Sequence, residues 1–134
     1  MAALSDSAEK LALDFLMTTG TATRPTAWYV ALYTAAPNDA STGSTGGTEV
    51  SGNGYSRQAV TFAAGTSPGG TTTSTNAQSF TASGGNFGAV THMSIIDASS
   101  GGNMIWHGAL TTSRTVNDGD TLTFSTGNID LTLA

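Results

Sequence analysis

The densest apolar region of the chain is VTHMSIIDASSGGNMIWHGAL, residues 90–110. Its two ends are rich in β-branched and aromatic residues, which suit strands, whereas its middle, DASSGGN at 97–103, consists of residues that favour turns. Two apolar arms around such a centre predict a β-hairpin with a flexible tip. We expect the two arms to form the middle of the core. The apolar residues on the arms are Val90, Ile95, Ile96, Met104, Ile105, Trp106 and Leu110.

A second strand is predicted upstream of the hairpin, in WYVALY at 28–33. Trp28, Val30 and Leu32 face one way at a period of two, and the alternate residues, which are also apolar, face the other way. A strand that is apolar on both faces is expected at the centre of a sheet. Similar alternation predicts further strands, which are 55–62, 78–81, 122–124 and 129–133.

The chain opens with a different period. Leu4, Ala8, Leu11 and Phe15 recur at spacings of three and four, which predicts an amphipathic helix over about 5–18. Ser5 or Asp6 can cap the first turn. Glu9 follows Asp6 by three residues as in a capping box, and Gly20 follows the expected end of the helix.

Two tracts separate the predicted strands. Residues 38–54 and 65–76 are rich in Ser, Thr, Gly and Asn and carry little apolar area to offset the entropy of ordering them, so we predict long flexible loops. Turn signals recur about every 8–12 residues. The sequence therefore predicts a mainly β fold, an antiparallel β-sandwich or barrel of jelly-roll type with one N-terminal helix, in a single domain over 1–134.

Composition excludes several classes of function. Charged residues make up 10% of the chain, against a usual figure of about 25%. Four cations and a net charge of -5 cannot neutralise a phosphate backbone, so we expect no nucleic-acid partner. No stretch is long and apolar enough to span a membrane, no basic segment precedes an apolar one at the N-terminus, and no cysteine is present, so we expect a soluble protein without an export signal or disulfides.

Candidate reactive groups are few. His92 and His107 lie on opposite arms of the predicted hairpin, where a turn near Ser99 or Ser100 brings them close to opposite each other. A metal site needs at least one more ligand, so an interface or cross-strand histidine pair is the favoured interpretation. The acidic turn at 117–120 lacks the ligand set of a calcium loop. No nucleophile motif, phosphate loop or cofactor motif is present, and we expect no enzyme activity and no cofactor.

The sequence resembles a family of small virion proteins of tailed bacteriophages. The resemblance rests on WYVALYTAAP at 28–37, EVSGNGYSR at 49–57, FGAVTH at 87–92, GALT at 108–111 and VNDGDTL at 116–122. Members are described as head-decorating or as tail-fibre-like. The resemblance therefore implies a structural role on a phage particle and assigns no catalytic residues.

Two functions follow as hypotheses. The first is a capsid decoration or cement protein, a trimer on the capsid surface that binds the major capsid protein and stabilises contacts between its subunits. The alternative is a tail-fibre or receptor-binding module that recognises a host surface glycan, for which exposed aromatic residues such as Trp28, Tyr29, Tyr33 and Trp106 would stack on sugar rings. Both need contact surfaces. The predicted interface residues are Leu4, Leu11, Phe15, Trp28, Tyr33, His92 and His107.

Overall fold

The computed structural model describes residues 3–133, which form one helix and ten strands. The helix, α1, covers Asp6–Met17. The strands are β1 (Ala3–Leu4), β2 (Tyr29–Ala35), β3 (Thr48–Glu49), β4 (Gln58–Ala59), β5 (Thr71–Thr73), β6 (Gln78–Thr81), β7 (Gly88–Ile96), β8 (Met104–Val116), β9 (Thr121–Phe124) and β10 (Asp130–Thr132).

The largest sheet has the strand order β1-β8-β7-β2-β3, with β4 also pairing with β2. Two smaller sheets consist of β5 with β10 and of β6 with β9. All strand pairs are antiparallel. The prediction of a mainly β, antiparallel fold with one N-terminal helix is confirmed. The sequence predicts a sandwich or a barrel. The observed arrangement is sandwich-like, and the strands within residues 3–133 do not close a barrel.

The predicted hairpin is β7 and β8, at the centre of the large sheet. Its tip is closed by Asp97, whose amide donates to the Asn103 carbonyl at 3.1 Å and whose carboxylate accepts from the Asn103 amide at 2.7 Å. The register shifts along the arms, because His92 lies opposite Ala109 whereas Val90 lies opposite Arg114. Between these pairs β8 carries three more residues than β7, which interrupts the regular ladder at this point.

The strand predicted at 28–33 is β2, between β7 on one side and β3 and β4 on the other. Its central position is confirmed, and both of its faces are buried. The main core lies between one face of the large sheet and the two small sheets, and its buried members are Val30, Leu32, Val50, Val60, Phe80, Ala82, Phe87, Val90, Ile95, Val116, Ile129 and Leu131. A second cluster on the opposite face consists of Ala31, Tyr33, Ile96 and Met104.

Helix α1 begins at Ser5, which is its N-cap. The Ser5 hydroxyl accepts from the Ala8 amide at 3.3 Å and also donates to the Met104 carbonyl, so the same side chain caps the helix and ties it to β8. The Ser5 amide donates to the Ile105 carbonyl at 3.0 Å. The start of the helix is therefore fixed to the large sheet.

The predicted loops at 38–54 and 65–76 need a correction, because each contains a short strand. β3 lies in the first and β5 in the second. β5 pairs with β10, more than 50 residues away in the chain, and this pairing is set by distant residues rather than by local composition.

Candidate interaction surfaces

The C-terminal half of α1 exposes a cluster of large apolar side chains, which we call the helix end. The exposed fractions are Leu13 62%, Phe15 68%, Leu16 70% and Met17 76%. Near the N-terminus of the helix Ala8 is buried, so only the first part packs on the sheet. Full burial of each such side chain contributes about 1.5–3 kcal/mol. Contiguous exposed apolar side chains of this kind mark a contact surface.

A groove of about 550 Å³ lies between the large sheet and the β5–β10 sheet; we call it the apolar groove. Its lining includes Trp28, Phe62, Ile105, Trp106, Leu131 and Leu133. Ile105 and Trp106 come from β8, Leu131 from β10, and no charged side chain of residues 3–133 lines it. The groove is thus a concave apolar surface next to the start of α1.

A second groove, of about 560 Å³, lies between β8 and the strands β9 and β10; we call it the polar groove. Trp106, Leu122 and Phe124 supply apolar surface. Its polar residues are His107, Arg114, Asn128 and Asp130, besides several hydroxyl groups of β7, β8 and β9. Apolar walls with a small number of polar groups are typical of a site for a small ligand.

The ion pair between Arg57 and Glu49 fixes the loop between β2 and β3. The Arg57 side chain is 4% exposed, and its guanidinium contacts Glu49 in a bidentate arrangement at 2.8 Å for both bonds. The remaining donors reach the carbonyls of Gly43 at 2.6 Å, Ala98 at 2.9 Å and Gly101 at 2.8 Å. The hydrogen bonds to Glu49 raise the pKa of Arg57 above its ordinary value. Arg57 therefore joins this loop to the hairpin tip.

Sequence reasoning missed this network. The signal for it was available, because Glu49 and Arg57 are opposite charges eight residues apart in a chain with few charges, and both lie in one of the segments that carry the family resemblance. The pairing requires the backbone to turn between them, and Gly52, Asn53 and Gly54 do so with positive φ angles.

Tyr55 completes the network. Its hydroxyl donates to a Glu49 carboxylate oxygen at 2.9 Å and accepts from the Leu32 amide at 3.1 Å. Burial raises the pKa of the Tyr55 phenol far above its ordinary value, and the neighbouring Glu49 carboxylate raises it further. Burial also raises the pKa of Tyr33. Both phenols are held neutral in the folded protein.

The predicted interface residues occupy different environments. Phe15 belongs to the helix end, and Trp28 lines the apolar groove. Leu4 and Leu11 are half-buried, Leu4 in β1 and Leu11 on the face of α1 that looks toward Ile105 and Pro25. Tyr33 is buried in the second cluster, so the structure does not present it to a partner.

The two histidines are not directly opposite each other. His92 lies opposite Ala109 and His107 lies opposite Ser94, which places them on one diagonal of the sheet, because the hairpin register differs by two residues from the predicted one. His107 Nε2 contacts the Asp39 carboxylate at 2.7 Å, and His92 Nδ1 contacts the Thr91 hydroxyl at 2.8 Å. Each histidine thus has its own partner.

Residues 3–133 contain no cluster of three or more His, Cys, Asp or Glu side chains that could hold a metal ion. Within the same range, no helix has the length and hydropathy needed to cross a membrane.

These features define a β-rich domain with exposed apolar surfaces. The family model of podophage GP4 fiber I protein gp80 matches residues 3–132, nearly the whole chain. The chain belongs to this family, and it is a structural protein of a bacteriophage virion. The comparison with curated proteins found no match.

Proposed function

We propose that the protein is a fibre component of the podophage tail. The observation that carries the proposal is the match to a fibre protein family over residues 3–132. This description favours the tail-fibre alternative over the capsid cement hypothesis. The helix end and the two grooves support the proposal physically, because a fibre subunit must bury surface against its neighbours.

Copy number in purified virions separates the two positions. A tail fibre is present in few copies, so we expect a molar ratio to the major capsid protein of a few per cent or less, measured by quantitative mass spectrometry of gradient-purified particles. Immunogold electron microscopy should place the label at the tail. A ratio near one with label over the head would contradict the proposal and would restore the cement hypothesis.

The polar groove supports a second candidate function, recognition of a host surface glycan. Trp106 and Phe124 offer apolar ring faces, and Arg114, Asn128 and Asp130 offer donors and acceptors for hydroxyl groups. The glycan hypothesis predicts exposed aromatic residues near loop tips, whereas Trp106 lies in the polar groove. The candidate site is therefore this groove.

Cell binding tests the second candidate. We expect labelled protein to bind saturably to cells of a strain that the phage infects, and the double variant Arg114→Ala with Asn128→Ala to lose at least tenfold in affinity. Arg24→Ala is the matched control, because Arg24 is exposed and lies outside the groove. Equal binding by all three proteins would contradict a glycan site in the polar groove.

A further inference from the structure

The chain carries two apolar surfaces that no part of residues 3–133 covers, one convex and one concave. The convex surface is the helix end, and the concave surface is the apolar groove. We propose that the helix end of one copy of this chain inserts into the apolar groove of a second copy. The inference concerns the purified chain and does not depend on its place in the virion.

The shape of the helix end favours a groove over another helix. At about 100° per residue, Leu13, Phe15, Leu16 and Met17 together span an arc of about 200° around the helix axis. Two helices that pack side by side need only a narrow apolar seam, whereas a helix that is apolar over a wide arc requires a partner that surrounds it. A concave surface meets this requirement.

The chemistry of the two surfaces also agrees. The one charged residue between Leu13 and Thr23 is Asp14, which lies outside the apolar arc and pairs with Lys10, and no charged side chain lines the groove within residues 3–133. Insertion would bury no unpaired charge, which is the usual obstacle to such a contact. A cavity of about 150 Å³ holds a benzene-sized group, so about 550 Å³ has room for about three such side chains.

In its own chain the helix end does not occupy the apolar groove, since Phe15 and Met17 are 68% and 76% exposed. The Ser5 amide donates to the Ile105 carbonyl at 3.0 Å, and the Asp6 amide donates to the Asp39 carbonyl at 2.9 Å. Ile105 lines the groove, so α1 begins at the groove rim; its 12 residues span about 18 Å from there, with Leu11 close to Asn103 of the hairpin tip. A contact between these two surfaces is either reciprocal, which closes a two-fold dimer, or heterologous, which closes a ring or continues as a chain.

Native mass spectrometry of the full chain and two variants tests the proposal. Phe15→Asp places a charge in the helix end and leaves the groove intact, whereas Leu133→Arg places a charge in the groove and leaves the helix end intact. Both side chains are exposed, at 68% and 55%, so both variants should fold. We expect the wild-type chain to form oligomers, and each variant alone to be monomeric, with association at least 100-fold weaker. Thr111→Asp, an exposed change outside the apolar groove, is the control and should keep the wild-type mass.

The mixture of the two variants gives the decisive result. One intact helix end and one intact groove remain, so we expect a 1:1 heterodimer and nothing larger. Three results would each overturn the proposal: a monomeric wild-type chain, a mixture of the two variants that stays monomeric, or a Leu133→Arg variant that forms the same oligomers as the wild type. Circular dichroism checks folding, and Met17→Asp replaces Phe15→Asp if that variant unfolds. Failure here leaves the copy-number result for the virion unaffected.

Discussion

Arg57 holds three separate segments of the chain at one buried point. Its guanidinium contacts Glu49 and also donates to carbonyls of the loop at Gly43 and of the hairpin tip at Ala98 and Gly101. The bidentate geometry and the additional acceptors are the conditions under which a buried ion pair offsets its desolvation cost. The loop conformation therefore depends on one side chain.

We predict that Arg57→Ala lowers the free energy of unfolding by about 3–5 kcal/mol, because it leaves the Glu49 carboxylate without its partner and three carbonyls without donors. Urea unfolding followed by tryptophan fluorescence measures the change. Arg24→Ala is the control, and a change within about 0.5 kcal/mol is expected there because Arg24 is exposed. An Arg57→Ala variant as stable as this control would show that the network contributes nothing.

The buried phenols predict a loss of stability at alkaline pH. Burial raises the pKa of Tyr55 and of Tyr33 in the folded state, whereas an unfolded tyrosine loses its proton near pH 10. The unfolded state then binds fewer protons, so the stabilisation is fully present below about pH 10 and falls as the pH rises above it. Because the pKa of Tyr55 lies far above its ordinary value, this phenol contributes a slope that approaches about 1.4 kcal/mol per pH unit above pH 10, and Tyr33 acts in the same direction.

Tyr55→Phe should flatten this alkaline dependence, although it costs about 1–3 kcal/mol at pH 8 through the lost hydrogen bonds to Glu49 and Leu32. Urea unfolding at pH 8, 9, 10 and 11 gives the slope. The double variant Tyr55→Phe with Tyr33→Phe should remove most of the remaining alkaline loss of stability. Parallel curves for the wild type and both variants would assign the alkaline loss to other groups.

At the scale of elements, the loop between β2 and β3 packs directly against the hairpin tip. The Gly43 amide donates to the Gly102 carbonyl at 3.0 Å, and a Cβ atom on Gly43 would overlap the Gly101 carbonyl group. Gly43→Ala should therefore cost about 1–3 kcal/mol, because either the loop or the hairpin tip must move.

The matched control is Gly65→Ala, where an added Cβ meets no atom within 4 Å. We expect this variant to unfold at the same urea concentration as the wild type or slightly above it, since alanine restricts the unfolded chain. Hydrogen exchange should show faster exchange of the Gly43 amide in Gly43→Ala alone. Equal midpoints for the two variants would mean that the loop does not depend on this close approach.

Elements whose pattern is local could be predicted from the sequence. The helix predicted over about 5–18 is α1 at Asp6–Met17, and the strand predicted at 78–81 is β6. The choice of strand partners could not be predicted. β9 follows β8 after a tight turn, yet it pairs with β6, because alternation records which face of a strand is apolar and not which edge it meets.

The candidate surfaces could be predicted only where a local pattern encodes them. The helical period places Phe15 on the same stripe as Ala8, but exposure differs because the sheet supports only the first half of the helix. The grooves arise where two sheets diverge, and they require the packing of β8 against β9 and β10, which no local pattern encodes. Trp28 was recognised as a candidate interface residue; Ile105 and Leu133 were not.

For the whole molecule, the scarcity of charge determines how the proposed contact between copies should respond to salt. The chain has a net charge of -5 from 9 acidic and 4 basic residues, and the surfaces proposed to meet are uncharged. Apolar burial is insensitive to screening, whereas attraction between exposed charges is lost once the Debye length falls from about 10 Å at 0.1 M salt to about 3 Å at 1 M. The assembly should therefore tolerate high salt.

We predict that the dissociation constant of the oligomer changes by less than threefold between 0.1 and 1 M NaCl, measured by analytical ultracentrifugation. Cooling should weaken association, because the hydrophobic contribution falls with temperature. Lys10→Ala breaks the exposed pair with Asp14 on the helix beside the contact and should leave the constant unchanged. An oligomer that dissociates at 1 M NaCl and is insensitive to Phe15→Asp would instead be held by its few charges, and the helix end would then need a different partner.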